Sequence, residues 1–418
     1  MCWLGGGATK LMKKDVKMAY GILLMFYCAL LFVLLFWVSG WLSFATKMIG
    51  CEGQDGSCLG ISAVLRLSFV LAVLHLLVGL SCLTRDTFAK IVNEGLWGFK
   101  MLLVVGGFIG SLFIPNTFFT KYAQFSLYAG FIYLFAQAVS LIDGFYLWAE
   151  FWAKKYDDGN KCYGCLLIFV SLIMYSLSGY FVYFGFERFW NPGCGGNKAY
   201  MIITLLIYVL YVVFIILRFH PQGSIITSGA ITIFGSFLVW ESLVSDPSES
   251  CNPEYKSKNS MVLQIVFSLL FGFSCNIYWA LSTQSSAAYQ QAKIQAPNVT
   301  EGDKEAEEKK EKENEENKGK EGQTNLIQRD DPNKFADYEN NSYIKFHGFM
   351  VLFSIYICPV FTNWGHASIS NNTWNYDNST SAAPYYLKIL VAVFTLLLYM
   401  WTIVAPKIFP EREFGTNN

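Results

Sequence analysis

The sequence predicts an all-α polytopic membrane protein with about ten transmembrane helices. Two observations carry that reading and a third orients it. Only 15% of the 418 residues are charged, while 54% are hydrophobic; a typical soluble domain carries about 25% charged residues. The apolar residues are gathered into runs long enough to cross a bilayer, which takes about 20 residues as helix. The lysines and arginines of the connecting segments lean to one side. The formal net charge of zero conceals this, because residues 301–340 hold 14 acids and 8 bases and leave the rest of the chain basic. The composition argues against a water-soluble enzyme, and no basic patch supports nucleic-acid binding.

In chain order the runs are 18–42, 60–81, 96–118, 122–152, 162–186, 199–217, 223–244, 261–281, 343–364 and 385–406. Buried helices of a soluble core can imitate one or two such runs, but not ten. The first follows Lys10, Lys13, Lys14 and Lys17 in the manner of a signal peptide. Its apolar stretch is too long for a signal h-region and no clean cleavage site follows, so it is expected to be a signal anchor. Over 87–100, Phe88, Ile91, Val92, Leu96 and Trp97 recur at helical spacing, which predicts a helix lying in the interface before the third run turns inward. The fourth run is about 31 residues, roughly 46 Å as helix. It must tilt strongly or protrude, and a long tilted helix is a natural brace between two bundles. Residues 284–340, rich in Glu, Lys and Asn, cannot bury enough apolar surface to offset their ordering entropy. The expected organisation is therefore 1–281 with helices 1–8, a disordered Lys/Glu-rich cytoplasmic loop at 282–341, and 342–418 with helices 9 and 10.

Orientation follows from the positive-inside rule. With the N-terminus inside, the inner segments hold Lys10, Lys13, Lys14, Lys17, Arg85, Lys90, Lys154, Lys155, Lys161, Arg218, Lys407 and Arg412. The outer ones hold Lys47, Lys121, Arg188, Lys198, Lys256, Lys258 and Lys388. N-glycosylation sequons at Asn371 and Asn378 fall in the last outer loop, the lumenal side where that modification occurs. Both termini are expected in the cytoplasm. Cys51, Cys58, Cys194 and Cys251 lie in outer loops, where oxidising conditions permit disulfides; four cysteines allow three connectivities. Cys28, Cys82, Cys275 and Cys358 read as packing residues. Cys162 and Cys165 have CxxC spacing at the start of a membrane helix, where palmitoylation or packing suits them better than redox or zinc chemistry.

Ionisable groups at membrane depth are expensive and default to functional hypotheses. Arg66, Asp143 and Glu241 are the candidates, with Lys100, Glu150 and Glu187 near span ends. They either pair within the bundle and snorkel to headgroups, or line a polar furrow the size of a lipid headgroup. His75, His220, His347 and His366 are dispersed, so no metal site is expected, and no cofactor or catalytic residue is. The sequence holds no GxSxG elbow, P-loop or HExxH.

Several blocks of the chain resemble the serine incorporator (Serinc, TDE/TMS) family. They are Arg66-Leu-Ser68-Phe69; Gly95-Leu-Trp97-Gly-Phe99-Lys100 followed by Gly110-Ser111-Leu-Phe113-Ile114-Pro115; Asp143 with Trp148, Glu150 and Trp152; Ser250-Cys251-Asn252-Pro253; Tyr343, Phe346-His347 and Thr362-Asn-Trp364; and Leu398-Tyr399-Met-Trp401-Thr402-Ile-Val-Ala405-Pro406 with Arg412-Glu-Phe414. The chain departs from the family pattern in lacking its cysteine-rich N-terminus and in carrying Glu241 after Trp240. The resemblance implies two helical subdomains joined by the long fourth helix, with lipid between them. It also implies a non-enzymatic role in lipid handling: ATP-independent phospholipid scrambling, or serine delivery for phosphatidylserine and sphingolipid synthesis. Arg66, Asp143, Trp148, Glu150, Trp240 and Glu241 are the lipid-groove candidates. Phospholipids, sphingolipids and serine are the expected partners, and a homo-oligomer is compatible with the sequence. The alternatives are an amino-acid transporter, or a scaffold working through the Lys/Glu loop.

Overall fold

A computed structural model describes residues 16–33, 51, 56–84, 87–217, 224–255, 257–295, 332–364, 366–370, 373–377 and 382–409. The helices are α1 (Val16–Val33), α2 (Gly56–Ser81), α3 (Thr87–Glu94), α4 (Trp97–Ser111), α5 (Asn116–Asp157), α6 (Lys161–Phe189), α7 (Gly195–Ile216), α8 (Ile225–Val244), α9 (Lys258–Gln295), α10 (Pro332–Phe361) and α11 (Ala383–Ile408). Between α10 and α11, β1 (His366–Ser370) and β2 (Thr373–Asp377) form an antiparallel hairpin, a small addition to an otherwise helical chain. Among the described residues nine helices are long and apolar enough to cross a membrane; α3 and α4, bent by 73°, make ten if counted as one broken span.

A second break corrects the third predicted run. It does not extend over 96–118: α4 ends at Ser111 and α5 starts at Asn116. Pro115 preceding α5 has φ −56°, set by its ring, and ψ 141°; a proline also pushes the residue before it out of the helical region, so the helix does not run through Ile114. At the other end of α4, Leu96 takes φ 55°, a left-handed conformation that costs an L-residue about 1–2 kcal/mol. The carbonyls freed at the end of α3 are met by Lys100, whose Nζ donates to Asn93 O at 2.8 Å and Gly95 O at 2.7 Å. Phe88 and Ile91 stay exposed on α3, as an interfacial helix requires.

The fourth span is longer than the run 122–152. Its 42 residues make a rod of roughly 63 Å, twice the hydrocarbon thickness. It packs on α2, α9 and α10 and also on α6, α8 and α11, so it joins two bundles. The first holds α1, α2, α4, α9 and α10; the second holds α6, α7, α8 and α11. The last two spans thus part company, α10 running antiparallel to α2 and α11 lying against α8. Ser68 Oγ donates to Ser354 O at 2.8 Å, and the Nδ1 atoms of His75 and His347 lie 3.2 Å apart, which fixes that antiparallel register.

Every residue of α8 after Ile225 is buried, so α8 is the centre of the second bundle, whereas α6 and α7 turn most of their apolar surface outward. In lipid that surface needs no further cover. Helix also invades the predicted loop at both ends, because α9 continues to Gln295 and α10 begins at Pro332. The Ser-Ala-Ala-Tyr-Gln-Gln-Ala-Lys stretch after Ser285 contains good helix formers, so polarity alone did not mark a loop there. Most of the acidic segment, residues 296–331, lies outside the described residues.

Candidate functional site

The contact of α9 with α5 and α10, on the brace side of the first bundle, is lined by one face of α9. Ser260, Gln264, Ser268, Gly272, Asn276 and Ala280 recur every fourth residue, and all are buried. Four residues turn an α-helix 40° past a full circle, so these small and polar groups form a slowly winding stripe down the length of a span. The stripe meets α5 and α10. Cys275 Sγ lies 3.6 Å from Gln137 O, and Trp279 Nε1 donates to Ser140 Oγ at 2.9 Å. A Cβ on Gly272 would come within 2.5 Å of the Phe353 ring and 3.3 Å of the Tyr133 hydroxyl, so glycine is needed for that approach. Both amide atoms of Gln137, Gln264 and Asn276 and the Tyr133 hydroxyl have no hydrogen-bond partner among the described residues. Burying a polar group without a bond costs about 1–3 kcal/mol, so a packed row of them is a poor stability device and calls for another reason.

The second cluster surrounds Glu241. Lys388 Nζ lies 3.1 Å from its Oε1, with 1% or less of either side chain exposed. Trp364 Nε1 donates to the same oxygen at 3.1 Å, and Lys388 also donates to Ser245 Oγ at 2.8 Å and sits 4.8 Å from the centre of the Trp364 ring. Trp364 reaches this point because Asn363 and Trp364 both take left-handed conformations, with φ 50° and 57°, turning the chain back at the end of α10. Its ring stacks on Phe131 of α5 at 4.9 Å. Glu241 thus draws together α8, α11 and the end of α10. Its Oε2, like Trp240 Nε1 beside it, has no partner among the described residues; the Trp240 ring packs on Phe181 and Phe237. The structure corrects one sequence expectation here: Lys388 is not an outer-loop residue but a buried member of α11, inserted where the carboxylate neutralises it.

The six predicted groove residues do not converge. Trp240 and Glu241 are inside the second bundle. Arg66 is buried in the first, donating to Ser62, to Ser111 O at 3.3 Å and to Asn116 Oδ1 at 2.7 Å, with Phe119 under its guanidinium at 4.5 Å. It clamps the α4–α5 turn. Asp143 and Glu150 are exposed on α5, Asp143 accepting from the Tyr278 hydroxyl at 3.4 Å. Trp148 is half-buried beside Phe145 and Trp152. Asp143 and Glu150, seven residues apart, share one exposed face of the bracing helix, while Trp148 lies on a different side.

The four candidate cysteines pair as Cys51–Cys58 and Cys194–Cys251. Both bridges lie at one end of the bundle, where Asn197 donates to Asp246 Oδ2 and Cys251 O at 3.2 Å. The sequons at Asn371 and Asn378 lie outside the described residues. At the opposite end His347, His75, Asn93, Lys100 and Tyr20 form a buried polar knot, with His347 Nε2 3.0 Å from Asn93 Oδ1 and the Tyr20 hydroxyl donating to Asn93 O at 2.9 Å. Among the described residues no three His, Cys, Asp or Glu side chains are grouped to hold a metal ion.

Sequence reasoning missed Lys388, Trp364 and the α9 stripe. The stripe was visible as a four-residue repeat of small and polar residues inside a run otherwise rich in Phe and Leu. Nothing local distinguished Lys388 from a residue at a span end.

These features define a multipass integral membrane protein made of two helix bundles on a shared crossing helix. Residues 5–412 match the family model described as Serine incorporator (Serinc), and the chain belongs to that family. Among its relatives are a probable serine incorporator of Nematostella vectensis, 28% identical over 393 residues that cover 87% of this chain and 84% of the relative, and serine incorporator 3 of Bos taurus, 27% identical over 395 residues that cover 84% and 80%. Serine incorporator 2 of Homo sapiens is 26% identical over 389 residues, covering 86% and 81%.

Proposed function

We propose that the protein moves phospholipids between leaflets without ATP, and that this movement supports serine incorporation into phosphatidylserine and sphingolipids. The observation that supports this reading is the row of unpartnered polar groups on α9 and α5. With α9 packed on α5 and α10, both amide atoms of Gln137, Gln264 and Asn276 are buried without hydrogen bonds among the described residues. If α9 parts from α5 and α10, a headgroup or the water around it supplies the missing bonds, so the closed and open seams approach each other in free energy. Asp143 and Glu150 on one exposed face of α5 offer a first contact for the headgroup, while the acyl chains stay in hydrocarbon. No covalent step is needed and the role is non-enzymatic.

We place both termini in the cytoplasm, in the plasma membrane or an endomembrane. The basic residues of the inner segments, the two sequons and the clustering of both disulfides at the opposite end support that orientation.

The test is reconstitution of the full chain in liposomes, measuring flipping of labelled phospholipid and uptake of labelled serine. Flipping without uptake is the expected result, and Gln264→Leu with Asn276→Leu should slow it severalfold by making the closed seam the better one. Uptake without flipping would replace scrambling with amino-acid transport, the reading that the broken α3–α4 span favours, since transporters build sites at interrupted helices. Loss of the cellular role on deleting 302–322, with neither activity in liposomes, would instead support a scaffold.

A further inference from the structure

Six cysteines outside the disulfides are described, and they fall into two groups. Cys28, Cys82, Cys275 and Cys358 are buried; Cys162 and Cys165 are exposed. We propose that Cys162 and Cys165 are S-acylation sites, each carrying a long-chain fatty acyl group as a thioester.

The two thiols sit in the first turns of α6, which begins where the Asn160 side chain accepts from Cys162 N at 3.3 Å. Three residues apart, they lie on one side of the helix. The same side continues downward through Leu166, Phe169, Leu172, Ile173 and Tyr180, all exposed. Among the described spans α6 has the smallest buried share, so this stripe faces lipid from the helix start into the bilayer. An acyl chain attached at either sulfur would lie along it with its methylenes in hydrocarbon. Lys154, Lys155 and Lys161 ring the same end and suit the headgroup layer above the thiols. Juxtamembrane cysteines in such a setting are the usual substrates of reversible S-acylation.

The step is a transacylation. The cysteine sulfur forms a bond to the acyl carbonyl of a long-chain acyl-coenzyme A, the bond from that carbonyl to the coenzyme sulfur breaks, and the thiol proton ends on the released coenzyme thiol. Nothing is oxidised or reduced. The donor is cytosolic, so the inference rests on the orientation proposed above.

The test uses the full chain extracted from eukaryotic cell membranes. Free thiols are blocked, thioesters are opened with hydroxylamine, and the newly exposed thiols receive a mass tag. The double variant Cys162→Ser/Cys165→Ser should carry two tags fewer than the wild type, and each single variant one fewer. Both positions are exposed, and Cys28→Ser should leave the tag count unchanged. Equal tag counts in the wild type and the double variant would overturn the proposal, as would a thiol block released by dithiothreitol but not by hydroxylamine, which would make the pair a redox couple. Labelling of both cysteines on intact cells by a membrane-impermeant maleimide would overturn it through the orientation.

Discussion

Arg66 and Glu241 are both charged, both buried at membrane depth, and held in opposite ways. Arg66 donates to neutral acceptors, a serine on its own helix and the backbone and amide of the α4–α5 turn, none more than 50 residues away. Glu241 is met by an opposite charge and by an indole 123 residues further on. The first arrangement stiffens one turn of one bundle. The second joins segments from three parts of the chain. The difference teaches that depth alone does not make a buried charge a groove residue: the partners decide whether it clamps locally or ties the assembly together.

The comparison can be broken most directly at Lys388. Lys388→Ala leaves Glu241 buried and unpaired and is expected to lower stability by about 3–5 kcal/mol, read as a lower unfolding midpoint in detergent. Lys388→Met combined with Glu241→Gln should recover most of that loss; no recovery would show that Lys388 matters through something other than the pair. Arg66→Ala should cost less, about 2 kcal/mol, because its former acceptors are uncharged. A loss as large as that of Lys388→Ala would erase the distinction. Gln264→Leu should raise stability by about 1–2 kcal/mol as it removes an unpartnered amide, read as a higher midpoint. A fall would mean that the amide is satisfied in the membrane. Leu96→Gly should stabilise by about 1 kcal/mol through relief of its left-handed backbone, as Leu96 is 49% exposed and gives up little packing. Asp143→Asn on the exposed face of α5 should change stability by less than about 0.5 kcal/mol while slowing lipid flipping; unchanged flipping would leave Asp143 as a surface residue.

The number of crossings and the brace were legible in the sequence because they depend on hydrophobic run length, which is a local property. The helix before the third span was legible from the helical spacing of Phe88, Ile91 and Val92. The break at Leu96 was not, since a leucine in a left-handed conformation carries no sequence signature and owes its place to Lys100 capping the preceding turn. Nor was the ion pair: Glu241 stood out as a carboxylate in an apolar run, but its partner is set by the packing of α11 on α8. The identities of the candidate cysteines could be read from their loops, whereas the choice of Cys51–Cys58 and Cys194–Cys251 among three pairings required the fold.

The parting of the last two helices has a consequence for biosynthesis. Lys388 follows Ser245, its hydrogen-bond partner at the end of α8, by 143 residues. At about 5–20 residues per second, the ribosome needs roughly 7–30 s to deliver it. Throughout that interval α8 has been made and Glu241 has no lysine to meet, and α2 likewise waits for α10. Neither bundle can be completed in the order of synthesis, so the nascent chain has to hold two half-built assemblies open until its final helices arrive.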